Sequence, residues 1–316
     1  MTLCIGTDEA GYGPNLGPLV VAATAWHVGG DGDAAARIGL AMAQGNLERR
    51  TPLWADSKQL YKQGPGDRGL TLLEEGVLTG LCLTGSPLPA DWPALAKQLG
   101  PIGPAAGSPD WDRLDALSLP RATSATAISR LVAALEKSLA GQQATLRGVV
   151  CRAIYPAEFN ASLARGLNKA DILSQATLEL AAALRARWPE EPALVWCDRH
   201  GGRKSYAALL GRHFAVPLVQ TLSETPACSA YALPAANARV EFAVGGEARV
   251  PVALASMMAK YGRELAMIAF NAFWSDRVPG LRSTAGYPLD ARRWREEVGP
   301  AAARAGVAEA SLWRRA

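Results

Sequence analysis

The stretch GTDEAGYGPNLGPLVVAATAW, from Gly6 to Trp26, decides the fold and raises the main functional question. Asp8 and Glu9 are adjacent acids at the end of an apolar segment, and a glycine-rich turn separates them from a second apolar run. Short apolar runs bounded by Gly and Pro are typical of β-strands, so the stretch predicts a hairpin of two buried strands. The two carboxylates at its turn are either solvated turn residues or half of a metal site.

The composition excludes a disordered or membrane-spanning chain. The 316 residues are 49% hydrophobic and 20% charged, which is enough to bury a sizeable core. The net charge of +4 permits a polyanionic partner without requiring one. The five cysteines are scattered without zinc-ligand or redox spacing, and the N-terminus lacks a signal-peptide pattern. We therefore expect a cytoplasmic protein with reduced thiols and no membrane partner.

The remainder of the chain alternates strand-like and helix-like segments. LRGVVCRAIYP, ALVWC and AVPLVQTLSE read as strands, and VALASMMAKYGRELAMIAFNAFW reads as a long helix. A further helix is predicted after Asn168, where Asp171 stands three residues later in a capping-box arrangement, and Pro189 should stop it. A hairpin followed by alternating elements predicts an α/β fold with a mixed sheet in a single domain, 1–316.

Two regions are predicted to lie outside the central α/β unit. Residues 62–122 are rich in Pro and Gly, which indicates an insertion rather than core. The sequence leaves open whether this insertion covers the site, binds a partner or does neither. Residues 275–316 read as a helical C-terminal extension that carries several arginines with tryptophans among them. Its arginines form either a nucleic-acid-binding arm, which we favour, or a solvated helix face.

Acidic residues recur at predicted strand ends, where functional groups of α/β sheets gather. Asp8 and Glu9 end the first strand, Asp198 ends ALVWC, and Glu247 stands just before the long helix. If the first two of these strands are neighbours, three carboxylates meet at one edge. Several acids without His or Cys suit hard cations such as Mg2+ and Mn2+. Each acid also has a structural interpretation, as a turn or solvated residue.

His200 follows Asp198 by two residues within the turn DRHGG. It is either a group that assists proton transfer or contacts phosphate, or a surface histidine in a glycine turn. We favour the surface interpretation.

The motifs together resemble the type 2 ribonucleases H, in which a strand ends in Asp-Glu-Ala-Gly before a Gly-x-Gly-Pro turn. Four later segments resemble the same family in the same order, and GYP at Gly286–Pro288 is a weaker match. These segments are DSKQL at Asp56–Leu60, NKADILSQAT at Asn168–Thr177, VWCD at Val195–Asp198 and ALASMMAKYGRE at Ala253–Glu264. The ordered matches run from residue 6 to residue 288 and leave roughly 62–122 poorly matched.

The resemblance implies a ribonuclease H-like α/β fold, with a mixed five-stranded sheet flanked by helices and an extra helical C-terminal part. It implies a monomeric endonuclease of DNA replication and repair that cleaves the RNA strand of RNA–DNA hybrids, or ribonucleotides embedded in duplex DNA. Such cleavage uses two Mg2+ or Mn2+ ions and an activated water, and leaves 5′-phosphate and 3′-hydroxyl ends.

The resemblance also implies roles for individual residues. The family's four metal-binding catalytic acids correspond to Asp8, Glu9, Asp198 and Glu247. The fourth acid is usually Asp in type 2 and Glu in type 3 enzymes. The implied substrate contacts are Gly11, Tyr12 and Gly13 to a ribose 2′-hydroxyl, Lys58, Ser256, Lys260 and Arg263 to phosphates, and Tyr287 stacked on a sugar.

The sequence departs from the family at two substrate-binding positions. Tyr12 stands where the family has Arg or Lys, so a cation near the scissile phosphate is lost or is supplied by Arg199 or Arg203. The His that usually follows the GYP segment is absent, and Arg292 stands near its place. Two alternatives therefore stay open, which are a nuclease of this fold with a different nucleic-acid substrate and a non-catalytic nucleic-acid-binding relative.

Overall fold

A computed structural model describes residues 1–45, 51–61, 69–104 and 111–315, with only the backbone given for residues 58 and 59. Its described residues form one mixed sheet of seven strands in the order β3-β2-β1-β4-β7-β6-β5. The strands are β1 (Thr2–Ala10), β2 (Leu19–Val28), β3 (Ala144–Ile154), β4 (Ala193–Asp198), β5 (Gln220–Glu224), β6 (Cys228–Leu233) and β7 (Ala238–Ala243).

Helices cover the sheet and extend beyond it. They are α1 (Ala34–Gln44), α2 (Ser57–Leu60), α3 (Thr71–Leu83), α4 (Trp92–Leu99), α5 (Ala125–Gly141), α6 (Pro156–Ala164), α7 (Lys169–Ala186), α8 (Ala207–His213), α9 (Val250–Ser275), α10 (Pro288–Arg304) and α11 (Glu309–Leu312). The predicted capping box of α7 is confirmed, because Asn168 accepts from the Asp171 amide and Asp171 accepts from the Asn168 amide.

The predicted hairpin is confirmed and forms the centre of the sheet. β1 pairs antiparallel with β2, and β2 pairs antiparallel with β3. On its other side β1 pairs in parallel with β4, and β4 pairs in parallel with β7. The carboxyl ends of β1, β4 and β7 therefore lie along the same edge of the sheet.

The expectation of five strands is wrong, because β6 and β7 were missed. They form a hairpin around the 3-10 turn Pro234–Ala236, which Asn237 closes in the left-handed conformation at φ 45°. The signal was present in ARVEFA, where Ala238, Val240 and Phe242 are buried and alternate with more exposed residues. Strand β7 lies between β4 and β6, a neighbour relation that short segments do not reveal locally.

The described part of 62–122 belongs to the core, which corrects the expectation that this region lies outside it. Leu73, Val77 and Leu81 of α3 are buried in the same hydrophobic cluster as α9. The buried carboxylate of Glu74 accepts hydrogen bonds from the backbone amides of residues 121–123 and from the Tyr261 hydroxyl. These contacts integrate the segment into the domain. Its status as an insertion relative to other proteins stays a prediction.

Helix α9 is the central helix of the fold. Its first turn lies against the hairpin, where the Thr24 hydroxyl of β2 donates to the Pro251 carbonyl at 2.8 Å. Buried residues occur all round the helix, as expected for an element enclosed by sheet and helices. Across the described residues, no helix has both the length and the apolar character that a membrane crossing requires.

Candidate active site

The strand order brings the predicted acids to one edge of the sheet. Asp8 lies near the end of β1 and Asp198 ends β4, and the register pairs their preceding residues Thr7 and Cys197. Glu247 lies in the 3-10 turn Gly246–Ala248 that follows β7. The condition set by the sequence, that the strands of Asp8 and Asp198 are neighbours, is therefore met.

Asp8, Glu9 and Asp198 form a compact group, which we call the acid cluster. One carboxylate oxygen from each of the three lies within 4.8 Å of the others. Asp8 is only 7% exposed and accepts the Glu9 amide at 2.7 Å. The Gly246 amide donates to Asp198 Oδ1 at 3.3 Å, which ties the turn after β7 to the cluster.

The electrostatics of the cluster favour a cation. Burial raises the pKa of Asp8 well above its ordinary range, and the negative charges of Glu9 and Asp198 raise it further. Hydrogen bonds from Ser256 and the Glu9 amide lower the pKa only in part. Three oxygen donors without His or Cys, one of them buried beside like charges, fit a hard divalent cation such as Mg2+ or Mn2+.

Glu247 lies beside the acid cluster without belonging to it. It lines the same cavity as the three acids, yet the compact group of ligand atoms does not include it. Glu247 lies in a turn, whereas Asp8 and Asp198 lie at strand ends, so the conformation of the turn sets its distance from the sheet edge.

The acids line a cavity of about 220 Å³ that also contains most of the predicted substrate contacts. Those contacts are Gly11, Tyr12, Ser256, Lys260, Arg263 and Tyr287. Gly13 is not among the lining residues, although a Cβ on it would lie 3.6 Å from the Tyr287 ring. The side chain of Lys58 lies outside what the structure describes.

Two lining residues, Ser57 and Glu264, were missed as site residues although both lie in quoted motifs. The Ser57 and Ser256 hydroxyls are 3.1 Å apart in the buried wall of the cavity. Glu264 accepts from the Tyr61 hydroxyl at 2.8 Å and pairs with Lys260, whose ammonium also lies 4.5 Å from the Tyr61 ring centre. The signal for Glu264 was helical spacing, since Ser256, Lys260 and Glu264 recur every four residues on α9.

Arg263 lines the cavity and also holds main chain, and its contact with phosphate stays a prediction. Its side chain is 3% exposed, and its guanidinium donates to the carbonyls of Pro18, Leu16 and Ala285 at 2.6, 3.1 and 3.0 Å. Three donors of the guanidinium therefore hold main chain. Arg263 thus joins the glycine-rich turn to the segment that carries Tyr287.

The glycine-rich turn requires glycine at Gly11. Its φ is +87°, and a Cβ there would lie 2.6 Å from the Pro18 carbonyl oxygen and 2.8 Å from Arg263 Cδ. Both the conformation and the space exclude a side chain. The next residue, Tyr12, has the ammonium of Lys169 lying 4.7 Å from its ring centre, so a cation stands beside the turn.

The two arginines proposed as replacements for the lost cation both have partners of their own. Arg199 donates to the carbonyls of Arg203, Thr225 and Pro226, and Arg203 pairs with Asp171. Lys169, which the sequence did not single out, lies against the Tyr12 ring, and the positive charge of Arg203 also acts on Tyr12.

His200 is a buried residue, so the surface interpretation is wrong. It is 1% exposed, its Nδ1 lies 2.9 Å from the Ser174 hydroxyl, and the rings of Tyr206 and Phe242 pack edge-on against it. Burial, aided by the positive charge of Arg203, lowers the pKa of His200 to about 3. The imidazole is therefore neutral at ordinary pH.

We expect His200 to make the fold sensitive to acid. Because its folded pKa of about 3 lies below the ordinary 6.5, the folded state binds fewer protons than the unfolded state between these values. Stability is then lost as the pH falls below 6.5, with a slope of up to about 1.4 kcal/mol per pH unit. We would measure the free energy of unfolding in denaturant at pH 7, 6 and 5 for wild type and His200→Gln. The advantage of the wild type over the variant should shrink as the pH falls. A difference that stays constant over this range would contradict the prediction.

No protein-family model and no curated protein matches this chain. Solved structures that match include the RNase HII of a PCNA:RNase HII complex from Archaeoglobus fulgidus, with 15% identity, a TM-score of 0.45, and coverage of 99% of this chain and 94% of that one. Bst-RNase HIII in complex with Mn2+ matches with 15% identity and a TM-score of 0.43, and the match covers 99% of this chain and 66% of that one. The ribonuclease H2 of Pyrococcus horikoshii OT3 matches with 14% identity and a TM-score of 0.42, and the match covers 98% of this chain and 92% of that one. Each of these TM-scores is below 0.5, so the likeness carries no functional argument.

Proposed function

We propose that the protein is a divalent-metal-dependent endonuclease that cleaves the RNA strand of RNA–DNA hybrids, or ribonucleotides embedded in duplex DNA. The observation that carries this proposal is the meeting of the acid cluster, the glycine-rich turn and Lys260 in a single cavity. Carboxylates alone would fit many metal sites. Their position beside a main-chain turn and a cation fits a phosphodiester with a ribose next to it.

Asp8, Glu9 and Asp198 would hold Mg2+ or Mn2+, and Glu247 would contribute from the margin of the cluster. When bound, a pair of such cations supplies an activated water and stabilises charge on the leaving oxygen, which would leave 5′-phosphate and 3′-hydroxyl ends. The chain's own part is to hold the carboxylates close together before the metal arrives. Because Asp8 is only 7% exposed, bulk water would compete little with its carboxylate for the cation.

The turn Gly11–Gly13 would read the ribose. Without a side chain at Gly11, the main chain can approach a sugar closely, and a 2′-hydroxyl can both donate to and accept from backbone groups. Tyr287 is 57% exposed at the cavity, so its ring is available to stack on a sugar. Cleavage at ribonucleotides would then follow from recognition at the turn and metal chemistry at the acids.

Phosphate contacts would come from Lys260 and Lys169. Lys260 lines the cavity, and its pairing with Glu264 keeps the ammonium in place. Lys169 would supply, beside Tyr12, the positive charge that an Arg or Lys at position 12 would otherwise carry. Lys58 stays a proposed phosphate contact. Ser256 together with Ser57 would orient the carboxylate of Asp8. We further propose that the protein is a cytoplasmic monomer that acts in DNA replication and repair.

The test of this function is cleavage of three matched labelled duplexes with Mg2+ or Mn2+ present. The duplexes contain no ribonucleotide, one ribonucleotide, or a full RNA strand. We expect cleavage only where ribonucleotides occur, with loss in Asp198→Asn and full activity in Asp112→Asn, an exposed acid outside the cavity. Cleavage of the all-DNA duplex would favour a different nucleic-acid substrate. Duplex binding without any cleavage would favour a non-catalytic binding protein.

A further inference from the structure

The chain returns to the glycine-rich turn near residue 314. The Arg314 amide donates to the Asn15 carbonyl at 2.8 Å, and Asn15 Nδ2 donates back to the Arg314 carbonyl at 3.1 Å. Leu16 and Trp313 form an isolated antiparallel bridge. Asn160 fixes this segment from the other side by donating to the carbonyls of Ala310 and Trp313. A stretch about 300 residues away in sequence is thus joined to the turn by one backbone and one side-chain hydrogen bond.

The side chain of Arg314 lies beneath the turn. It is 1% exposed, and its Nη2 donates to the Gly11 carbonyl at 2.7 Å and to the Pro14 carbonyl. Its guanidinium also lies 5.2 Å from the ring centre of Phe159. Within the described residues its Nε and Nη1 have no hydrogen-bond partner. A buried arginine with two unsatisfied nitrogens is costly for a fold, and the bonds that it does make go to the turn.

These bonds orient the peptide planes of the turn. A trans peptide is planar, so its N–H points opposite to its C=O. The Gly11 carbonyl faces Arg314, and the Tyr12 amide therefore faces away from Arg314. The peptide between Pro14 and Asn15 is held at both ends, because the Asn15 amide donates to the Gly286 carbonyl at 2.8 Å. Gly11 and Tyr12 line the cavity, so the orientation of the peptide between them decides whether its N–H or its C=O faces a ligand in the cavity.

We propose that Arg314 is a positioning residue that holds the Gly11–Gly13 turn in the orientation that distinguishes ribose from deoxyribose. The inference rests on the proposed function, since it assigns ribose recognition to that turn. Arg263 holds the other end of the turn through Leu16 and Pro18, and Arg314 holds the end next to the acid cluster. The arginine therefore acts on specificity through the main chain, without contacting the substrate.

The first arm of the test measures amide hydrogen exchange without nucleic acid in wild type, Arg314→Met and Arg315→Met. Methionine keeps an apolar stem without the charge or the donors, and Arg315 is the exposed neighbour that serves as the matched control. We expect the Asn15 and Leu16 amides, which donate to the Gly286 carbonyl, to exchange at least about tenfold faster in Arg314→Met. The β1 amides and the Arg315→Met protein should be unchanged. Equal exchange in all three proteins would overturn the inference.

The second arm measures the affinities for a DNA duplex with one ribonucleotide and for the same duplex without it, in EDTA. We expect wild type and Arg315→Met to prefer the ribonucleotide and Arg314→Met to lose most of that preference. Arg314→Lys should lie in between, because lysine keeps the charge and the donors on a shorter side chain. A mere loss of folded protein would weaken both affinities equally and leave their ratio unchanged. If Arg314→Met does not fold, Arg314→Lys alone carries both arms.

The outcomes separate this inference from the proposed function. A wild type that cleaves at the ribonucleotide while the Arg314 variants keep its preference would overturn the inference and leave the function standing. A wild type that neither cleaves nor prefers the ribonucleotide would overturn the function and the recognition role together. The exchange rates would still decide whether Arg314 holds the turn.

Discussion

Asp8→Asn is expected to abolish cleavage while making the metal-free protein more stable. A bound cation supplies several kcal/mol of charge stabilisation in the transition state, and about 4 kcal/mol corresponds to a thousandfold in rate. The neutral amide of Asn is a poor substitute for a buried anionic ligand. We therefore expect the rate on the single-ribonucleotide duplex to fall by at least about a thousandfold.

The gain in stability follows from the pKa of Asp8. Because burial and the charges of Glu9 and Asp198 raise it, the folded state binds more protons than the unfolded state between the ordinary value of 3.8 and the raised value. The wild type therefore loses stability as the pH rises through this window and regains it as the pH falls to 3.8. Asn removes this penalty, so at pH 7 the metal-free variant should be more stable by about 1 kcal/mol or more.

Thermal unfolding with and without Mg2+ and cleavage assays together check this prediction. Added metal should stabilise the wild type far more than the variant, because only the wild type retains the full cluster. Glu247→Gln, beside the cluster, should cost less activity than Asp8→Asn. A variant at Asp8 that cleaves at the wild-type rate would show that the acid cluster is not the catalytic centre.

Gly6→Ala is expected to destabilise the protein strongly, because the added methyl group would overlap backbone atoms of α9. A Cβ on Gly6 would lie 2.2 Å from the Pro251 carbonyl carbon, 2.4 Å from the Val252 nitrogen and 2.5 Å from the Pro251 oxygen. All three are backbone atoms in the first turn of α9, and the bond from Thr24 to the Pro251 carbonyl opposes their retreat. Strand β1 and α9 would have to separate, which should cost more than about 4 kcal/mol of unfolding free energy.

Gly39→Ala is the matched control for this substitution. Gly39 lies within α1, and a Cβ on it would meet no atom within 4 Å. The same methyl group should there stabilise the protein by about 0.5–1 kcal/mol, because alanine favours a helix over glycine. Denaturant unfolding of both variants checks the pair. If Gly6→Ala unfolds within about 1 kcal/mol of wild type, the close approach of β1 to α9 is wrong.

The acid cluster shows how far local sequence reasoning reaches. Asp8, Glu9 and Asp198 were placed together from a general rule, that strand ends collect functional groups, and from the condition that two strands are neighbours. The capping box at Asn168 was equally accessible, because all its partners lie within four residues. Both inferences use periodicity and short spacing, which are properties of the chain itself.

The errors share one physical cause, which is that burial and hydrogen-bond partners are set by residues far apart in sequence. His200 stands in a glycine turn that reads as surface, yet helix α7 and strand β7 enclose it. The Pro-rich segment before residue 122 reads as a surface insertion, yet its helix α3 packs on α9. The sequence assigned Arg263 only a phosphate contact and missed its hydrogen bonds to the backbone carbonyls of residues 16, 18 and 285.

By itself, the sequence determined the α/β class and the central hairpin, because strand patterns depend on consecutive residues, and it singled out the three acids that the structure brings together. Only the tertiary structure decided the seven-strand order, the marginal place of Glu247 and the two buried arginines that hold the glycine-rich turn. Arg314 is the clearest case. Its partners at Gly11 and Pro14 lie about 300 residues away, and no spacing along the chain could have joined them.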